Sequence, residues 1–159
     1  MQKKFFTPTT LALSAAIAAV YAVLCYVLAP IAYGPVQLRV AEAMTLLPVL
    51  MPSAIPGLFV GCILANLLGG LGPLDVIFGS LATLASAVLT YFFRKNRYLA
   101  ALPPVIINAV VVGVMLHIVY NVELWATMGY VALGEAVAVY ALGLPLLKAM
   151  EKIGLDKLG

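Results

Sequence analysis

The stretch GYVALGEAVAVYALG, residues 129–143, is a long apolar run with one carboxylic acid, Glu135, near its middle. No basic residue lies near it in the sequence. An ionised carboxylate at the centre of a bilayer costs roughly 2.5–3.5 kcal/mol on the insertion scale. We therefore expect Glu135 to face the interior of a helical bundle, where such acids usually mark a ligand or ion pathway.

The whole chain shares this apolar character. Of its 159 residues, 65% are hydrophobic and 9% are charged, and residues 5–38, 43–74 and 98–122 carry no charge. A soluble domain of this length cannot bury so much apolar surface, and a helix needs roughly 20 apolar residues to cross the hydrocarbon core. The composition predicts an all-α integral membrane protein with one domain over residues 1–159. The net charge of +3 does not indicate a nucleic-acid partner.

A six-helix transmembrane bundle is predicted, with helices at about residues 9–32, 38–51, 55–68, 73–93, 99–120 and 124–150. Thr7 is placed to cap the first helix and Pro8 to begin it. This helix is longer than a signal-peptide core, so we expect it to be retained. Helices two and three have only about 14 residues each, or roughly 20 Å. They form either two short crossings or a re-entrant hairpin, covered in both cases by the bundle.

The basic residues predict the orientation in the plasma membrane. If both termini are cytoplasmic, eight of the nine basic residues lie inside and only Arg39 lies outside, as the positive-inside rule favours. The inside residues are Lys3, Lys4, Arg94, Lys95, Arg97, Lys148, Lys152 and Lys157.

This orientation brings most polar residues of the apolar segments towards the outer side. Those residues are Arg39, Glu42, Asn66, Asp75, Asn108, His117, Asn121, Glu123, Trp125 and Glu135. Several have ordinary structural interpretations. Arg39 and Glu42 are three apart and can pair on a helix. Asp75 suits a helix N-terminus, Trp125 suits the headgroup region, and His117 or Asn108 can bond to neighbouring backbone or helices.

Motifs of common enzymes are missing from the sequence. There is no GxxxxGK[ST] loop to hold ATP phosphates, no HExxH or CxxC metal motif, and no GxSxG nucleophile motif. We therefore expect neither an enzyme nor a metal protein. The first helix instead carries small residues at three- and four-residue spacing, which allow another helix to approach closely. These are Ala12, Ala15, Ala16, Ala19 and Ala22.

Three stretches together resemble one known family. YGPVQLRVAEAMTLLPVLMPSAIPGLFVGCILANLLGGLGPLDVIFGSLATL (residues 33–84) is similar to the middle of the QueT family, and LPPVIINAVVVGVML (102–116) and YVALGEAVAVYALGLPLL (130–147) resemble its last two helices. QueT proteins are S components, the substrate-binding membrane subunits of energy-coupling factor (ECF) transporters. The family is assigned to uptake of queuosine precursors, 7-deazaguanines such as preQ0, preQ1 or queuine.

The resemblance implies a membrane subunit without a cofactor of its own. It would bind substrate from outside, join an ECF transmembrane subunit and two cytoplasmic ATPases, and be toppled by their ATP hydrolysis so that its site opens inward. The alanine face of the first helix would then dock on the transmembrane subunit. The turn at residues 33–37 would act as a lid, as first loops do in other S components.

A 7-deazaguanine presents two adjacent donors, N1–H and the 2-amino group, beside the O6 acceptor. A carboxylate accepts such donors and an amide or guanidinium donates to O6, while a flat ring favours aromatic walls. The candidate ligand-binding residues are Glu135, Asn108, Glu42, Arg39, Asn66, His117, Tyr120, Trp125 and Tyr33, with Tyr130 within reach. Two alternatives stay open: a stand-alone secondary transporter in which Glu135 carries a proton, and a structural subunit in which Glu135 pairs with Arg39 or His117.

Overall fold

The computed structural model describes residues 7–33 and 38–155, and every regular element in those ranges is helical. The α-helices are α1 (Pro8–Val27), α2 (Ala29–Ala32), α3 (Ala54–Leu68), α4 (Ser80–Phe92), α5 (Arg97–Ala100), α6 (Leu102–Tyr120), α7 (Leu124–Ala136) and α8 (Leu144–Lys152). A 3₁₀ helix at Val40–Val49 is called the 3₁₀ segment. The π-helical turns at Asp75–Gly79 and Val137–Gly143 are called the first and second π segments.

Among the described residues, four helical stretches are long and apolar enough to cross a membrane: Pro8–Val27, Asp75–Phe92, Arg97–Tyr120 and Leu124–Lys152. The 3₁₀ segment and α3 are apolar but shorter. Large apolar side chains such as Leu11, Val27 and Ile118 are mostly exposed, which suits a lipid solvent. The all-helical membrane architecture is confirmed, while the count of six spanning helices stays a prediction. The orientation also stays a prediction, and Lys3, Lys4 and Lys157 lie outside the described residues.

The first predicted helix begins as expected and ends earlier. The Thr7 side chain accepts a hydrogen bond from the Thr10 N–H, and Pro8 occupies the first turn. The predicted continuous helix to residue 32 is wrong, because Leu28 separates α1 from α2. Pro30 explains the break, since proline has no N–H to donate to the carbonyl of Tyr26 and its ring clashes with that carbonyl.

The second predicted helix has 3₁₀ rather than α geometry. Its residues 41–48 are all buried, and it packs against α1, α4, α8 and the second π segment. Runs of 3₁₀ helix longer than 3–4 residues are uncommon. Pro48 lies inside the segment and removes one backbone donor, and the Thr45 hydroxyl donates to the Glu42 carbonyl at 2.6 Å. The 3₁₀ segment is therefore an interior element with polar groups at its start.

Glycines bring α3 unusually close to α1. A Cβ on Gly57 would lie 2.6 Å from the backbone oxygen of Ser14, and one on Gly61 would lie 2.9 Å from the Cβ of Tyr21. Contacts of this kind require small residues, as in other membrane helix pairs. The contact fixes Tyr21 against α3, with its ring fully buried.

Two predicted helices contain π-helical turns that the sequence did not indicate. The first π segment begins at Asp75, and the second begins two residues after Glu135. Gly143, at the end of the second π segment, lies against the 3₁₀ segment, where an added Cβ would be 3.0 Å from the Ala43 carbonyl oxygen. Because π turns inside helices are frequent at functional sites, the two turns direct attention to the acids beside them.

Candidate functional site

Polar side chains from six elements meet inside the bundle. We call them the polar cluster: each has at most 5% of its surface exposed, and its members are Tyr21, Arg39, Glu42, Asn66, Thr83, Asn108 and Glu135. The start of the 3₁₀ segment supplies Arg39 and Glu42, and the remaining members come one each from α1, α3, α4, α6 and α7. Five of the sequence-predicted site residues are therefore brought together here.

Glu42 is held through one of its two carboxylate oxygens. The hydroxyl of Tyr21 donates to Oε1, and the hydroxyl of Thr83 lies 3.4 Å from the same atom. Oε2 is buried and has no hydrogen-bond partner. Because buried polar atoms are nearly always partnered, this free oxygen indicates a place for a ligand atom or water.

Glu135 is buried as expected and lies close to Glu42. The Asn108 side chain is next to both carboxylates, and Glu135 interacts electrostatically with Glu42 and Arg39. Its Oε2 atom also lacks a hydrogen-bond partner. No ion pair within 4 Å joins either glutamate to a cation in residues 7–33 and 38–155. Two carboxylates therefore share the neighbourhood of one guanidinium.

Arg39 connects the polar cluster to the aromatic residue Tyr33. Its Nη2 atom lies 3.5 Å from Oδ1 of Asn66, and its guanidinium carbon lies 5.3 Å from the centre of the Tyr33 ring. Its Nε atom is buried without a partner. Asn66 in turn donates from Nδ2 to the backbone oxygen of Asp75 at 2.9 Å. The expected pairing of Arg39 with Glu42 is not present as an ion pair within the described ranges.

A cleft lies beside the contact between Arg39 and Tyr33. Its volume of about 590 Å³ is in the range of small-molecule pockets. Tyr33 and Asp75 line it, together with Tyr120, Glu123 and Tyr130. Burial raises the pKa of the Tyr33 hydroxyl to about 12. The hydroxyl thus stays protonated, and it donates to the Ala65 carbonyl at 3.0 Å. Two residues that line the cleft, Tyr33 and Asp75, also contact the polar cluster. The tyrosines of the cleft offer aromatic faces to a ligand bound there.

Two predicted ligand residues lie elsewhere. His117 is exposed, and its Nδ1 atom lies 2.5 Å from the Val122 carbonyl oxygen in the turn between α6 and α7. Trp125 is 75% exposed and does not line the cleft. For both, the structural interpretation fits better than ligand contact: a bond within the turn for His117 and a headgroup position for Trp125. Residues 34–37 of the predicted lid lie outside the described residues.

Only part of the alanine face of α1, the predicted docking face, is exposed on the surface of the bundle. Ala12, Ala15, Ala16 and Ala19 are exposed, whereas Ala22 is buried at 5% exposure. Ala22 therefore has to be removed from the predicted docking face. It lies beside the buried Tyr21, on the part of α1 that turns into the bundle.

Sequence reasoning missed Tyr21 and Thr83. Both side chains reach Glu42, yet each is a common residue on a mainly apolar helix and carries no charge that would single it out. Their role follows only from the way the 3₁₀ segment passes between α1 and α4. No group of three or more His, Cys, Asp or Glu side chains able to hold a metal ion occurs among the described residues.

Comparison with known proteins gave one match to a family model. A model described as QueT transporter matches residues 11–152 of the chain. Neither the curated proteins nor the solved structures gave a match.

Proposed function

Because this chain belongs to the QueT transporter family, we propose that it is the S component of an ECF importer and binds a 7-deazaguanine queuosine precursor. It would capture preQ0, preQ1 or queuine from the extracellular side of the plasma membrane. The observation that carries this proposal is the set of buried, unpartnered atoms in the polar cluster.

The unpartnered atoms correspond in number and type to the edge of a 7-deazaguanine. Oε2 of Glu42 and Oε2 of Glu135 are two acceptors without a geometrically defined hydrogen bond, with the Asn108 amide beside both glutamates, and Nε of Arg39 is a donor without one. The ligand edge has two donors, N1–H and the 2-amino group, and one acceptor, O6. Charge-assisted hydrogen bonds of this kind are stronger than neutral ones. The adjoining tyrosines supply faces on which a flat ring can stack.

The charges of the polar cluster favour a ligand with a positive group. Glu42 and Glu135 bring two carboxylates, and Arg39 brings one guanidinium. A buried charge is stable only when it is paired or hydrogen-bonded. The protonated aminomethyl group of preQ1 would offset excess negative charge in the cluster without occupying the acceptors that meet the N1–H edge, whereas the nitrile of preQ0 carries no charge.

Transport would depend on other subunits. The sequence has no phosphate-binding GxxxxGK[ST] loop, so an ECF transmembrane subunit and two cytoplasmic ATPases would supply the energy and topple the loaded S component. Ala12, Ala15, Ala16 and Ala19 form the exposed part of the face on α1 that we assign to docking. Small residues suit close helix approach within a membrane.

Calorimetric titration of the detergent-purified chain with preQ1, preQ0 and queuine tests the proposal. We expect Glu135→Gln to weaken binding of preQ1 by at least about tenfold, because a hydrogen bond to a charged group contributes roughly 1.5–3 kcal/mol. Glu151→Gln, at the exposed ion pair with Arg97, is the matched control and should bind like the unmodified chain. Unchanged affinity in Glu135→Gln would remove Glu135 from the site.

A stand-alone proton-coupled transporter is the second candidate. The proximity of Glu42 to Glu135 favours it, because paired acids inside a membrane protein also serve as proton carriers. Reconstitution of the chain alone into proteoliposomes separates the two. Uptake of labelled preQ1 that follows an imposed proton gradient would support the second candidate, and binding without uptake would support the S component.

A further inference from the structure

The contacts of Glu42 determine how many of its oxygens a ligand can reach. Oε1 accepts from the Tyr21 hydroxyl and lies 3.4 Å from the Thr83 hydroxyl, while Oε2 has no partner. All three side chains are buried, so bulk water has no direct access to these positions. Glu42 thus offers one acceptor atom in an orientation that its neighbours set.

Tyr21 contributes more to this orientation than Thr83. A hydroxyl has one proton to donate, and the Thr83 oxygen also lies 3.2 Å from the Gly79 carbonyl oxygen and 3.4 Å from the Cys62 sulfur. The Tyr21 hydroxyl has Glu42 as its acceptor. Its side chain is fully buried, so neighbouring atoms on all sides restrain the ring.

We propose that Tyr21 is a positioning residue for the ligand site: it holds Oε1 of Glu42, so that Oε2 alone faces the ligand and accepts a single N–H. This inference rests on the proposed function, since it assigns roles within the same site. Under this proposal Glu42 accepts one of the two adjacent N–H donors of a 7-deazaguanine and Glu135 accepts the other, so neither carboxylate accepts both.

The proposal makes an unusual prediction for Glu42→Gln. With Tyr21 donating to it, the glutamine carbonyl oxygen turns towards Tyr21, and the amide NH₂ then faces the N–H of the ligand. Two donors facing each other in a buried site leave both unpaired, which is costly. Glu42→Gln should therefore bind preQ1 more weakly than Glu42→Ala, in which the smaller side chain leaves room for a bridging water.

The change Tyr21→Phe should have opposite effects in two backgrounds. In the unmodified chain it frees the Glu42 carboxylate to rotate away from the ligand and should weaken preQ1 binding by up to about tenfold, the equivalent of one charge-assisted hydrogen bond between Glu42 and the ligand. In the Glu42→Gln chain it allows the amide to turn its oxygen to the ligand and should strengthen binding several-fold. Damage to the fold would weaken binding in both backgrounds.

The experiment is calorimetric titration of preQ1 into these detergent-purified variants, with Tyr26→Phe, an exposed tyrosine of α1, as control. Weaker binding of Glu42→Gln than of Glu42→Ala, with recovery on adding Tyr21→Phe, supports the proposal. Binding of Glu42→Gln equal to or tighter than Glu42→Ala overturns it even if Tyr21→Phe does not fold. If the unmodified chain binds none of the three 7-deazaguanines, the proposed function fails and this inference falls with it.

Discussion

The contact between α1 and α3 predicts that Gly61→Ala lowers stability and ligand affinity together. The added methyl group would lie 2.9 Å from the Cβ of Tyr21 and 3.0 Å from both the Cα and the carbonyl oxygen of Ala18. Backbone atoms cannot rotate out of the way as the end of a long side chain can. The helices must therefore move apart.

The size of the effect follows from these distances. Carbon atoms in ordinary contact are about 3.5–4.0 Å apart, so the 2.9 Å contact requires a shift of about 0.6–1.1 Å. Overpacking of a tight interior typically costs 1–3 kcal/mol. The shift also disturbs the position of Tyr21, whose hydroxyl donates to Glu42, and we expect preQ1 affinity to fall by up to about tenfold, the equivalent of one charge-assisted hydrogen bond between Glu42 and the ligand.

Thermal unfolding in detergent and titration with preQ1 measure the two effects. A glycine-to-alanine change in a helix raises helix propensity by roughly 1 kcal/mol. The control must therefore be another glycine-to-alanine change in a helix, at a site without crowding. Gly129→Ala meets this requirement, because a Cβ at this position on α7 meets nothing within 4 Å. We expect its Tm to equal or exceed that of the unmodified chain. A Gly61→Ala chain as stable as Gly129→Ala, with unchanged affinity, would refute the reasoning.

Three further changes have simpler expected outcomes. Thr90→Val removes the buried donor to the Ala100 carbonyl, 2.9 Å away, and should lower the free energy of unfolding by about 1–3 kcal/mol in thermal melts, with affinity retained. Glu151→Lys breaks the exposed pair with Arg97 and should change stability by less than about 1 kcal/mol; a larger change would mean that the pair is not solvent-screened. Trp125→Ala should leave preQ1 affinity unchanged, because the indole lies outside the cleft; a tenfold loss would return Trp125 to the site.

Helix positions are predictable where the local sequence carries strong capping or hydropathy signals. Thr7 and Pro8 mark the start of α1, and the uncharged runs at residues 5–38 and 98–122 contain the long apolar helices α1 and α6. The internal geometry was not predictable in the same way. The 3₁₀ form of Val40–Val49 depends on burial from several sides, and the π segments depend on how neighbouring helices pack. Apolar composition alone does not distinguish these helix types.

The buried acids were predictable because a carboxylate in an apolar run is energetically unfavourable unless it faces the protein interior. The residues that contact them were not predictable. Glu135 stood out as a carboxylate in an apolar run, and its burial agrees with that expectation. The proximity of Glu42 to Glu135 joins residues far apart in the chain, which periodicity does not reveal. Tyr21 carries no charge, so nothing in its local sequence indicated a bond to Glu42. Assignment of these residues to ligand binding stays a prediction.

The 3₁₀ geometry also makes Val40–Val49, the segment that carries Glu42, longer than the same residues would be in an α-helix. A 3₁₀ helix rises about 2.0 Å per residue and an α-helix 1.5 Å. Pro48 resists α geometry, because its ring would clash with the carbonyl of Met44. Conversion of the eight residues before Pro48 would still shorten the segment by about 4 Å. A change of helix type at this one place would therefore move Arg39 and Glu42 relative to Pro48 by up to about 4 Å, and would change with it their position beside Glu135.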